Sequence, residues 1–194
     1  MFYHKLEEAS NARNARNEAR ARIVYLACKG LSVQINLNGI LQVAAAKGNI
    51  VESGLWPDIK KEVDLRQLRP QDVFASESTY DWCKTMSASA DTTIVNAAQN
   101  KSNRWYYINA VGNELSATGQ LIRLKIKRAA QDAREWYVDM IRNWDEGIGY
   151  VDDPVIVEED QVITVTGYAS TTSTICAWGL HGEVAEKKGL LINP

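Results

Sequence analysis

Residues 114–146 read ELSATGQLIRLKIKRAAQDAREWYVDMIRNWDE, and the reading of this stretch decides the fold. Leu115, Thr118, Ile122, Ile126, Ala129, Ala133, Trp136, Tyr137, Met140 and Trp144 recur at steps of mostly three and four. At roughly 100° per residue they cover one face about 100° wide, the pattern of an amphipathic helix lying on a core. At ~1.5 Å per residue such a helix is roughly 50 Å long, which makes it the spine of the molecule. Asn113 is placed as its N-cap, and Gly147 and Gly149 as its C-terminal stop. The fold class that follows is α+β, with a long central amphipathic helix packed on a mainly antiparallel sheet. Leu124 lies nearly opposite the apolar face, with Leu121 beside it; a loop folded over the helix or a subunit contact accounts for the pair. Asp145 and Glu146 put negative charge at the negative end of the helix dipole.

Towards the N-terminus, residues 5–29 read as a second helix, rich in Ala and closed by Gly30. Ala12, Ala15, Ala19, Ile23 and Leu26 form one stripe, and Arg13, Arg16 and Arg20 another. An alanine stripe permits close approach of two helices but buries little area per residue. Residues 1–18 are therefore expected to project or to be held by a partner, within a basic N-terminal helix or arm over 1–30, with 31–194 as a single α+β domain. The alternation of Leu31, Val33, Ile35 and Leu37 before Asn38-Gly39 predicts a hairpin over 31–43. The rival reading is a helix from Asn38 through Ala46, which the three alanines at 44–46 favour. Trp56-Pro57 and Arg69-Pro70 mark breaks, with a short charged helix or turn at 58–68 between them. A helix is expected at 76–86. Strands are expected at 92–95 and 104–111, joined by a turn at 100–103.

Beyond Gly149 the chain is rich in β-branched residues, and strands are expected at 155–157, 161–168, 171–178 and 190–192. A tail of this length is small to stand alone. It is expected to complete a sheet started by 31–43 and 92–111.

The chain has 194 residues, 45% hydrophobic and 24% charged, an ordinary globular balance that needs no covalent staple. The net charge of −2 gives no global argument for nucleic acid. The charge is uneven, with six Lys/Arg against three Asp/Glu in residues 1–30, and two Lys against seven Asp/Glu in 151–194. A positive front and a negative tail favour contact within or between chains. Cys28, Cys83 and Cys176 are far apart and odd in number, which points to a reducing compartment. The polar, Arg-rich start does not read as a signal peptide, and no run is apolar enough for a membrane span. The expected location is the cytoplasm or a virion.

No motif reaches a named chemistry. His4 and His181 are the only bases by type; Cys83 with His181 and Cys176 with His181 are the thiol–base pairings to weigh, and no family signature surrounds either cysteine. The acidic run Asp152, Asp153, Glu158, Glu159 and Asp160 lacks the glycine and alternation of a calcium loop, and reads as a solvated loop or a docking surface for the basic helix. No cofactor and no metal site is expected.

These readings favour a non-catalytic structural or assembly protein acting through repeated subunit contacts. A viral or phage head, neck or tail subunit is a natural home for it. Its partners are then other copies of itself and other assembly subunits, with no membrane. The contact residues are expected to be Ala12, Arg13, Ala15, Arg16, Ala19 and Arg20 on the arm, with Leu121 and Leu124 on the spine. The alternative is a nucleic-acid-binding module that uses the Arg stripe together with Arg104, Trp105 and Tyr107. A small enzyme is the third reading.

Overall fold

The computed structural model describes residues 3–5, 9–74, 81–87, 89–113, 121–129, 131–144, 147–170 and 174–190. Among the described residues, ten strands and four α-helices build three layers. The strands are β1 (Tyr3–His4), β2 (Val63–Gln67), β3 (Cys83–Met86), β4 (Asp91–Gln99), β5 (Arg104–Asn113), β6 (Leu121–Arg128), β7 (Gln131–Tyr137), β8 (Ile148–Val157), β9 (Val162–Ala169) and β10 (Thr174–Lys187). The helices are α1 (Ser10–Gly30), α2 (Leu37–Ala45), α3 (Trp56–Ile59) and α4 (Pro70–Val73). One sheet runs β1-β8-β5-β10-β2, with β3 also paired to β10, and the other runs β4-β9-β6-β7; every pairing is antiparallel.

The inner faces of the sheets meet in one core. Tyr106, Ile108 and Val111 of β5 and Trp178 and Leu180 of β10 face Leu124 and Ile126 of β6 and Ile163 and Val165 of β9. A second core lies on the outer face of the larger sheet, where Ile23, Val24 and Cys28 of α1 and Ile40 of α2 cover Trp105, Tyr107 and Ala185. A sheet apolar on both faces needs a layer on each side, and the helices supply the second one.

The long central helix is overturned. Where it is described, 114–146 forms β6, β7 and a 3-10 turn at Ile141–Asn143; residues 114–120, 130, 145 and 146 lie outside the described residues. Leu124 and Ile126 point into the core, while Arg123, Lys125 and Lys127 point away from it. Over a few residues, a period of two and steps of three and four share many positions, so the helical match was a coincidence of spacing. Leu124, on the wrong face of a helix, is on the right face of a strand. Asn113 does not cap a helix: it ends β5, and its side chain donates to the carbonyls of Leu121 and Val138 at 3.0 and 2.7 Å.

The long helix is α1, and it does not project. It lies across β5, β8 and β10, with its alanines turned towards the protein. Small side chains let a helix sit close to a sheet, and that use of the stripe needs no partner chain. The hairpin at 31–43 is also overturned in favour of the helical rival. Asn36 accepts a hydrogen bond from the backbone N–H of Gly39 at 3.0 Å, capping α2 and drawing Asn38-Gly39 into its first turn. In place of a helix at 76–86 there is β3 at 83–86, and residues 75–80 lie outside the described residues. The tail completes sheets as expected, since β8 and β10 flank β5 and β9 joins β4 to β6. Its partners include the strands at 91–113, together with β1, β2, β3 and β6, and not residues 31–43. Residues 171–173 and 191–194 lie outside the described residues.

Candidate functional site

Two part-buried charged clusters tie the larger sheet to its helices. The first centres on Glu183 of β10. Arg20 of α1 donates through Nε and Nη2 to its two carboxylate oxygens, both at 2.6 Å, and the Tyr107 hydroxyl donates to one of them at 2.6 Å. Burial pushes the Tyr107 hydroxyl well above the usual phenol range, and the Glu183 charge adds to this; Arg20 and Arg16 act in the opposite direction. Arg20 also reaches the Asn49 side chain at 3.0 Å.

The second cluster is built from β2, α4, β5 and β10. Arg66 donates to both oxygens of Asp72, each at 2.6 Å, and to both oxygens of Glu186, at 2.8 and 3.0 Å. Arg104 makes an ion pair with Glu186 at 2.9 Å. Burial alone would lower the Arg66 pKa, but the hydrogen bonds to Asp72 and Glu186 outweigh it and the value rises. Two guanidiniums and two carboxylates balance, as buried charges must.

Beside Glu183 lies a polar cavity of about 170 Å³. Arg16 of α1 faces it, together with Gln67 of β2, Asn109 of β5, Tyr150 of β8 and His181 of β10. A bulge in β5 shapes it. Tyr106, Ile108 and Val111 face the sandwich core, so one extra residue lies between Ile108 and Val111. The register slips there against both neighbouring strands. Such a bulge re-aims a side chain, here that of Asn109. Opposite the bulge, Gly182 lies so close that an added Cβ would sit 1.8 Å from the Tyr107 carbonyl oxygen. The chain's two histidines share one lateral row of this sheet, His4–Tyr150–Ala110–His181.

The residues expected to act are distributed as follows. Arg16, Arg20 and Tyr107, read as parts of two separate sites, converge around Glu183. Arg13 is exposed on α1. Ala12 and Ala19 are buried by their own chain, and Ala15 lies beside Asp152 and Asp153 of β8. The basic helix thus docks against part of the acidic tail within one molecule. Leu121 and Leu124 lie inside the sandwich. Trp105 is 3% exposed under α1 and presents no open face to a base, and Arg104 is turned into the Glu186 cluster. Cys176 is buried in the core on the inner face of β10, and His181 is on its outer face. Asn109, Gln67 and Tyr150 were not singled out from the sequence. The only signal for Asn109 was a polar residue inside an otherwise apolar strand.

Among the described residues, the exposed large apolar side chains are Leu41, Val51, Tyr137 and Met140. β7 is an edge strand of the smaller sheet, and Tyr137 at its end and Met140 just beyond it are 56% and 67% exposed. A groove of about 500 Å³ beside α1 and α2 has Tyr25, Leu26, Leu41 and Ala44 on its apolar side and Glu18, Arg22, Arg128 and Glu158 on its charged side. No helix among the described residues is long and apolar enough to cross a membrane. Among them, too, no group of three or more His, Cys, Asp or Glu is placed to hold a metal ion.

No family model matches the chain, and no curated protein matches it. Among solved structures, it is similar to the C-terminal CBM6 of LamC, a marine laminarinase from Zobellia galactanivorans. The identity is 10%, over 64% of this chain and 100% of that one, with a TM-score of 0.29. A score that low carries no argument about fold or function.

Proposed function

We propose that the chain is a non-catalytic assembly protein that acts through repeated contacts between copies of itself. The observation that supports this best is the edge of β7, unpaired on one side among the described residues, with exposed Tyr137 at its end and exposed Met140 just beyond it. An open strand edge beside apolar side chains is a template for pairing with another chain. The groove beside α1 and α2 is the counterpart, and its wall runs from the helices to Arg128 at the end of β6. A projecting edge and a recessed groove are unlike surfaces, which suits head-to-tail contact over a two-fold pair. A subunit of a viral or phage particle is one setting for such contacts.

Light scattering on the full chain tests this. The expected result is a mass above that of a 21.7 kDa monomer, rising with concentration. Met140→Glu on the edge and Leu41→Glu in the groove are each expected to return the chain to monomer. Mixing the two variants leaves one intact contact per pair, so dimers are expected and nothing larger. A wild-type chain that stays monomeric at all concentrations overturns the proposal.

A further inference from the structure

β1 sits in a socket of its own. It pairs with β8 through two residues only, Tyr3 with Val151 and His4 with Tyr150. β8 runs on to Val157, and β1 is its one strand neighbour on that side among the described residues. Tyr3 is half-buried and packs against the sandwich core. Its ring lies over Gly149, where an added Cβ would stand 3.0 Å from Tyr3 Cδ1 and 2.8 Å from Ile141 Cγ2. Glycine is what lets the ring approach the strand so closely. Burial holds the Tyr3 hydroxyl above the usual phenol range, and the Asp139 charge adds to this. Lys5 follows, with its ammonium 5.8 Å from the centroid of the Trp144 ring.

This is the geometry of strand addition, in which the backbone pairs with an open edge and alternate side chains fill separate pockets. Tyr3 and Lys5 are such alternate residues. The hold is slight, and a segment with so few contacts opens at a small fraction of the cost of global unfolding. The same segment of a second copy remakes every contact that the first gives up, so exchange between copies loses none.

We propose that the β8 edge, with Gly149, Ile141 and Trp144, is a docking site for the Tyr3-His4-Lys5 segment of a second copy, which displaces the chain's own. This contact is separate from the one between the β7 edge and the groove. Met140→Glu and Leu41→Glu leave every socket residue in place, so the two readings fail separately.

The test mixes full chains carrying His4→Cys with full chains carrying Tyr150→Cys in a glutathione redox buffer. Both also carry Cys83→Ser, which removes the exposed native thiol. Opposed residues of an antiparallel pair have Cα atoms about 4.5–5.5 Å apart, within disulfide range. The expected product is a dimer joined from position 4 of one chain to position 150 of the other, identified by mass spectrometry without reduction. A dilute chain that carries both cysteines is expected to close the same bond within itself, which shows that the substitutions are tolerated. Closure in that chain with no mixed dimer in the mixture overturns the proposal.

A second measurement needs no substitution in the protein. A fluorescein-labelled peptide of residues 1–8 is titrated onto the unmodified full chain. A saturable rise in anisotropy is expected, and Tyr3→Ala in the peptide is expected to weaken it about tenfold. Absence of saturable binding, or equal binding of the two peptides, also overturns the proposal.

Discussion

Arg20 and Glu183 stand 163 positions apart in the chain and meet through two hydrogen bonds of 2.6 Å. The pair ties the first helix to the last strand across the outer face of the larger sheet. It is the molecular form of the charge asymmetry between the two ends of the sequence, satisfied here within one chain. Arg20 is 13% and Glu183 20% exposed, so water screens the pair only in part. The guanidinium meets the carboxylate side by side, a geometry that lysine cannot copy.

Replacing Glu183 by Gln leaves Arg20 half-buried without its counter-charge and weakens the Tyr107 contact. The expected loss is about 2 kcal/mol, less than for a fully buried pair. Arg20→Met with Glu183→Leu removes both charges together and is expected to cost less than the two single changes added. Urea unfolding of the four chains measures the coupling.

The Arg66–Asp72–Glu186–Arg104 cluster is more deeply buried and should respond more strongly. In Glu186→Ala, two guanidiniums face Asp72 alone. The expected cost is about 3–5 kcal/mol, because the charge left behind is desolvated. Asp58→Asn at the exposed Lys61–Asp58 pair provides the contrast, with little change expected. Equal effects at the two sites would contradict the burial argument.

Gly182 has a packing reason to be glycine. A Cβ there would overlap the Tyr107 carbonyl, which is backbone and cannot swing aside. Gly182→Ala is expected to cost about 4 kcal/mol or more, or to prevent folding. At Gly54 an added Cβ meets nothing within 4 Å, and Gly54→Ala should stay within about 0.5 kcal/mol. Thermal melts of the two variants separate a clash at the bulge from a general cost of losing glycine.

Much of the secondary structure outside the centre was legible. Alanine content marked α1, β-branched runs marked β9 and the end of β8, and 104–111 was expected as a strand where β5 lies. The centre was misread because Ile122, Ile126 and Trp136 satisfy helical steps as well as strand faces. The alternation Arg123, Leu124, Lys125, Ile126, Lys127 held the better answer, and Leu124 was its clearest sign. The site was less legible than the fold. Arg16, Arg20 and Tyr107 were singled out, but what unites them is Glu183, which only β-sheet register brings near. Asn109 depends on a bulge, and a bulge is set by pairing with two other strands.

Cys28 provides a pH test of the helix–sheet core. Its thiol is fully buried between α1 and the sheet, and burial raises its pKa from the usual 9.0 to about 11. Below pH 9 the thiol is protonated in both states and adds no pH dependence. Between about pH 9 and 11 the unfolded chain has lost the proton while the folded chain keeps it. Fewer protons bind to the unfolded state, so stability falls as pH rises, by at most about 1.4 kcal/mol per unit. Urea unfolding from pH 8 to 11 should show a steeper decline for wild type than for Cys28→Ala, whose cavity lowers stability by a pH-independent amount. Parallel curves would mean that the Cys28 thiol ionises as readily in the folded protein as in the unfolded chain.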